Sequence, residues 1–160
     1  RQVAIAREAG LPLNLHCRGA WAELLAVFRR EPPSDPPGIL HNFNGSAQVA
    51  APFLDLGCGL SFGGVITRRN STKLAAALQR AWPLNRRLET DAPDLSPVEA
   101  PGRPNLPDNL LHVRRAAAEL LETDPQTVAQ QTAQNAARIF RLPLFEAAPP
   151  PPDHPRETTP

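Results

Sequence analysis

The sequence predicts an α/β domain built on parallel strands. Short apolar runs alternate with stretches of helical period, and strands separated by helices are joined by crossovers that leave neighbouring strands parallel. At 160 residues with 41% apolar content, the chain is long enough for one domain with a real core. The third observation is where the polar residues fall. His16, His41 and Asp91 each stand at the carboxyl end of an expected strand.

Taken in order, residues 1–9 read as the end of a helix and LPLNLHC (11–17) as a buried strand. GAWAELLAVFRR (19–30) follows as a helix with Trp21, Leu24, Leu25 and Phe28 on one face. After the loop EPPSDPPG, GILHNF (38–43) is the second strand, and Ser46 is placed to cap a helix that runs to about Leu56 and stops at Gly57. CGLSFGG (58–64) is the third strand, NSTKLAAALQRA (70–81) a helix, and RRLETD (86–91) the fourth strand. Pro107 and Asp108 open another helix, and Asp124 followed by Pro125 caps the last, which ends near Phe140. Residues 1–145 thus form the folded domain. Residues 146–160 are too Pro-rich and polar to pack and are expected to be disordered.

The stretch LETDAP (88–93) poses a problem of charge. Glu89 and Asp91, two apart on a strand, project to the same side, and Pro93 ends the pairing. Burial penalises both carboxylates unless a positive charge meets them. The carboxyl ends of parallel strands are where α/β folds build their sites, so His16, His41 and Asp91 converge on one edge of the sheet. Two imidazoles and a carboxylate suit Zn²⁺ or, with more oxygen ligands, Mn²⁺ or Mg²⁺. A cation there would hold Asp91 ionised. Each residue taken singly has an ordinary role: a histidine at a rim, Asp91 as a turn former before Ala-Pro, Glu89 salt-bridged to an interior arginine. For Glu89 the structural role is favoured over ligation. The coincidence of three ligand types at the same end of three strands favours a metal site.

Other residues exclude more than they suggest. The net charge of +1 calls for neither a nucleic-acid nor a membrane partner. Sixteen arginines against one lysine, with many Ala and Pro, reflect genome base composition. Cys17 and Cys58 are too few for a disulfide framework and read as buried small side chains, and no apolar run reaches spanning length, which favours a cytoplasmic setting. Gly63 and Gly64 are expected to permit a tight strand-to-helix turn. His112 and His154 have no ligand-like neighbours. Arg103 and Asn105 could border a substrate groove.

The motifs HCR (16–18), HNFNGS (41–46), SFGG (61–64) with Thr67, LETDAP (88–93) and GRPNLP (102–107) resemble, in order and spacing, the TatD family of metal-dependent hydrolases and deoxyribonucleases. The run QQTAQNAARIF (130–140) is similar to the family's terminal helix. Asn42 and Asn44 stand where the family commonly has Cys and Ser. The resemblance implies a (β/α)₈ barrel whose site holds two divalent ions, Mg, Mn or Zn, and cleaves phosphodiester bonds of DNA, 3′ ends included, with a metal-activated water. It implies His16, His41 and Asp91 as metal ligands, Asp91 also as general base, and Arg18 with the amides of Gly45 and Ser46 as contacts for substrate phosphate. The family's His-x-His pair and middle-strand Glu have no counterpart in this chain. Residues 11–91 therefore read as strands five to eight of a partial barrel, with a missing amino-terminal half or a second copy needed to complete it. A metal-dependent barrel hydrolase of amides or esters, or an inactive remnant, are the alternatives.

Overall fold

A computed structural model describes residues 1–69, 71–101 and 104–143. The expected disordered tail, Arg103 and His154 lie outside the described residues. The elements alternate as the periodicity predicts: α1 (Gln2–Glu8), β1 (Leu13–His16), α2 (Trp21–Arg30), β2 (Gly38–His41), α3 (Ala47–Asp55), β3 (Gly59–Phe62), α4 (Thr72–Arg80), β4 (Arg86–Leu88), α5 (Leu110–Leu120) and α6 (Pro125–Phe140). A 3-10 turn, Gly64–Thr67, intervenes after β3, and another, Pro107–Asn109, leads into α5. Among the described residues no helix is long and apolar enough to cross a membrane.

The four strands form one sheet in the order β1-β2-β3-β4, every pair parallel. Each strand therefore lies beside its sequence neighbour, and β1 and β4 are the edges. Burial is high on β2, β3 and β4 and lowest on β1. Ile39 and Leu40 of β2 and Leu60 and Phe62 of β3 are buried, and Phe28, Phe43 and Phe53 pack in one cluster with Leu40, Leu60 and Phe62. Trp21 joins this layer, its ring 5.1 Å from that of Phe43. On β1 the pattern alternates: Leu13 and Leu15 are half-buried while Asn14 and His16 are exposed.

The helix caps follow local chemistry. The Ser46 hydroxyl accepts the Val49 N–H at 3.3 Å, and the Asp124 carboxylate accepts the Thr127 N–H at 2.8 Å. Gly57, at φ +82°, takes the left-handed turn that stops α3.

The fourth strand departs from expectation. It ends at Leu88, three residues early, because Asp91 adopts φ +57° and cannot continue a ladder. Strand alternation is thus not what places Glu89 and Asp91 together. Asn105 holds this exit in shape: only 2% exposed, its amide donates to Thr90 O and, at 2.7 Å, to Asp94 O, while its own N–H reaches Pro93 O at 2.8 Å. Asn105 is a clasp for the loop. Gly64 serves the same loop, since a Cβ there would sit 2.4 Å from Leu95 O. The double glycine therefore admits a neighbouring backbone as well as a turn.

Candidate metal centre

The centre forms where β1 and β2 end in register. His16 pairs with His41 across the two strands, which brings their rings to the same rim, centroids 6.0 Å apart and planes tilted by 44°. The loop after β4 folds back onto His41. Its Nδ1 lies 2.7 Å from Glu89 Oε2, and its Nε2 lies 3.1 Å from Asp91 Oδ1. Asn42 binds both acids: its backbone N–H donates to Glu89 Oε1 at 2.5 Å, and its side-chain amide donates to Asp91 Oδ2 at 3.2 Å. A φ of +46° at Asn42, a conformation that asparagine tolerates better than most residues, turns both donors toward the acids.

Glu89 is therefore bound to a histidine and not to an interior arginine. Expectation failed there because the arginines of β4, Arg86 and Arg87, precede the bend and point into the protein. Asn42 was visible in the sequence only as a departure from a family pattern. In the structure it is the residue that ties the two acids to β2.

The donor set can be tested for a cation by its own chemistry. A neutral His41 that donates from Nδ1 to Glu89 turns the lone pair of Nε2 toward Asp91 Oδ1 at 3.1 Å. Two lone-pair atoms at that distance repel unless a positive charge lies between them. A proton on an imidazolium would serve, and so would a metal ion, for which ligand atoms about 2 Å from a shared centre fall roughly 3 Å apart. His41, Asp91 and the orienting Glu89 thus fit the carboxylate-histidine-metal pattern. Among the described residues, no three of His, Cys, Asp or Glu are gathered as a ready ligand cluster. The fit rests on the His41–Asp91 pair, with His16 next to it across the rim.

The remaining expected residues are placed as follows. Arg18 is exposed in the loop between β1 and α2 and has no hydrogen bond or ion pair among the described residues. Gly45 is buried, and a Cβ there would meet the Phe43 ring at 2.5 Å, so packing alone demands glycine. Ser46 spends its hydroxyl on capping α3. Cys17 is half-buried, with its thiol raised mainly by desolvation, whereas Cys58 is fully buried and burial pushes its thiol up to about 12. His112 makes no contact with the centre and lines a separate cleft with Arg68, Arg69 and Arg115.

A parallel α/β sheet with histidines and acids gathered at the carboxyl rim is the frame of a barrel-type metal hydrolase. The chain belongs to the TatD-related DNase family, whose sequence profile matches residues 1–141. It is 39% identical over 141 residues to the uncharacterized metal-dependent hydrolase YcfH of Escherichia coli K12, covering 88% of this chain and 53% of that protein. It is 35% identical over 147 residues to the 3′-5′ ssDNA/RNA exonuclease TatD of Yersinia pseudotuberculosis, covering 88% and 56%. The solved structure of YjjV, a TatD homologue from Escherichia coli K12, superposes with a TM-score of 0.82 at 30% identity, over 89% of this chain and 54% of that one. The chain spans about half the length of the curated relatives it matches.

Proposed function

We propose that this chain carries the carboxyl-side half of a metal-dependent phosphodiesterase site, equivalent to strands five to eight of a (β/α)₈ barrel, and that a nucleic-acid strand is its substrate. One observation carries the reading: His41 Nε2 faces Asp91 Oδ1 at 3.1 Å while Glu89 holds the opposite ring nitrogen. His16, His41 and Asp91 would hold the divalent ions, Mg, Mn or Zn, two in the complete site. Bound there, the metal supplies an acidified water and a counter-charge for the phosphoryl oxygens.

The chain's own residues do the rest. Glu89 fixes the His41 tautomer, leaving Nε2 free as a ligand. Asn42 holds the Asp91 carboxylate by one oxygen, and Asp91 takes the proton of the attacking water. Arg18 and the amides around Gly45 and Ser46 are contacts for substrate phosphate. The free edges of β1 and β4 support completion by an amino-terminal half-barrel or a second copy.

Calorimetric titration with Mn²⁺, paired with hydrolysis of a single-stranded oligonucleotide, tests the reading. Wild type should bind metal alone and cleave once completed by an amino-terminal half-barrel, His41→Ala should bind at least tenfold more weakly, and the completed Asp91→Asn should lose cleavage. Unchanged cleavage by Asp91→Asn would sink the assignment. Cleavage of amide or ester substrates in place of DNA would redirect it to another class of barrel hydrolase.

A further inference from the structure

We propose that two clefts beside the candidate centre form one track for the phosphates of a single-stranded polynucleotide that extends away from the cut; this rests on the nuclease reading above. The nearer cleft, about 280 Å³, is lined by Asn44, Val65, Arg68, Ser71, Lys73 and Leu74. Asn44 lies three residues past His41 in the loop between β2 and α3. The farther cleft, about 370 Å³, shares Arg68 and Ser71 with the first and adds Arg69, His112 and Arg115. Arg68 and Ser71 thus border both clefts. The Val98 N–H donates to Thr67 Oγ1 at 3.0 Å, which ties the wall of the farther cleft to the loop that carries Asp91.

Charge makes this a track for an anion. Arg68, Arg69, Lys73 and Arg115 are all exposed, and among the described residues none of them is ion-paired. The nearer cleft has no acidic residue, and Val65 and Leu74 give it an apolar floor suited to a sugar or base edge beside a phosphate. Glu99 and Glu119 line the second cleft, so attraction for a phosphate is stronger in the cleft that carries Asn44. A strand held this way would be gripped more firmly there than in the second cleft. Backbone charge dominates such binding, which makes it tolerant of sequence and sensitive to salt.

The test is fluorescence anisotropy of the full chain with a short labelled oligothymidylate in EDTA, where metal-dependent cleavage cannot interfere. The double variant Arg68→Glu/Lys73→Glu should weaken binding by roughly tenfold or more and lower the log–log salt slope by about 1.4, the share of two single-strand phosphate contacts. Glu119→Gln should tighten binding. Both sites are exposed, so the fold is kept and the urea midpoint should be unchanged. A wild type that ignores the oligonucleotide, or a double variant with unaltered affinity and slope, overturns the track. If the track behaves as stated but wild type, completed by an amino-terminal half-barrel and given metal, cleaves no oligonucleotide, the track stands and the nuclease reading falls.

Discussion

Within residues 86–91, two arginines and two acids are treated in opposite ways. Arg86 and Arg87 lie in β4 at 0% and 3% exposure, whereas Glu89 and Asp91, past its end, keep side-chain exposures of 16% and 30%. Among the described residues, every guanidinium nitrogen of Arg86 lacks a hydrogen-bond partner, and so do Nε and Nη1 of Arg87. The acids are fully engaged, by His41 and Asn42. Arg86 rests on the Trp82 ring, 3.7 Å from its centroid, and Arg87 gives one hydrogen bond of 2.7 Å to Asn135 O. Burial pulls Arg86 down to about 9, and burial together with Arg138 pulls Arg87 to about 10.

The difference separates what the fold tolerates from what a site requires. Inside β4 the cations are desolvated with little return, a cost set against the Trp82 contact and packing. At the rim the acids stay partly hydrated and collect donors from His41 and Asn42. Gly59 belongs to the first arrangement: a Cβ there would overlap Arg87 Nη1 at 1.7 Å. The β3 backbone is bare at that point so that a guanidinium can lie across it.

Asp91→Asn should break the rim most deeply, lowering metal-stimulated hydrolysis by about 10²–10⁴-fold with little change in urea midpoint. A comparable loss of stability would make Asp91 a structural residue like its neighbours in β4. Glu89→Gln comes next. It keeps the shape but loosens the hold on His41, and Mn²⁺ affinity by calorimetry should fall about 10- to 100-fold.

Arg86→Met probes the other half of the comparison. Removing a buried, unpartnered charge should raise stability by roughly 1–3 kcal/mol, less whatever the ring contact returns. Its advantage is also tied to pH. The folded-state value of about 9 lies below the ordinary 12.5, so wild type carries the full penalty below pH 9 and sheds it as pH rises toward 12. Urea midpoints at pH 8 and pH 11 should show the gap between the two proteins narrowing. A constant gap would mean that Arg86 stays charged.

At neutral pH the smallest effect concerns Cys58, since it is felt only as pH passes 9. Its thiol is raised from 9.0 to about 12, so its contribution is whole below pH 9 and is lost as pH climbs toward 12. Cys58→Ala should lose less stability than wild type across that window, by at most about 1.4 kcal/mol per pH unit.

Much of this was legible in the sequence. Apolar period gave the alternation of strands and helices, and side-chain oxygens ahead of helical runs gave Ser46 and Asp124 as caps. His16 and His41 could be set on one rim because each closes a strand. The geometry at residues 89–91 was not legible, since RRLETD alternates well enough to be a strand throughout. Only the left-handed backbone at Asp91, held through the Asn105 clasp, bends the acids onto His41. Nor could sequence show that both arginines of β4 are buried: Trp82 covers one and Asn135 of α6 binds the other. Such partners are chosen by tertiary packing, not by local pattern.

The order of the strands has a consequence for how the molecule is made. Register pairs join Leu13 to Gly38, Ile39 to Gly59 and Leu60 to Arg86, so each pairing closes a span of only 20 to 26 residues. Closures of this length cost less entropy than longer ones would. As the chain leaves the ribosome, every new strand meets an edge that its predecessor has just completed. Synthesis and assembly can thus run in the same direction, with His41 already seated when the acids that will grip it emerge.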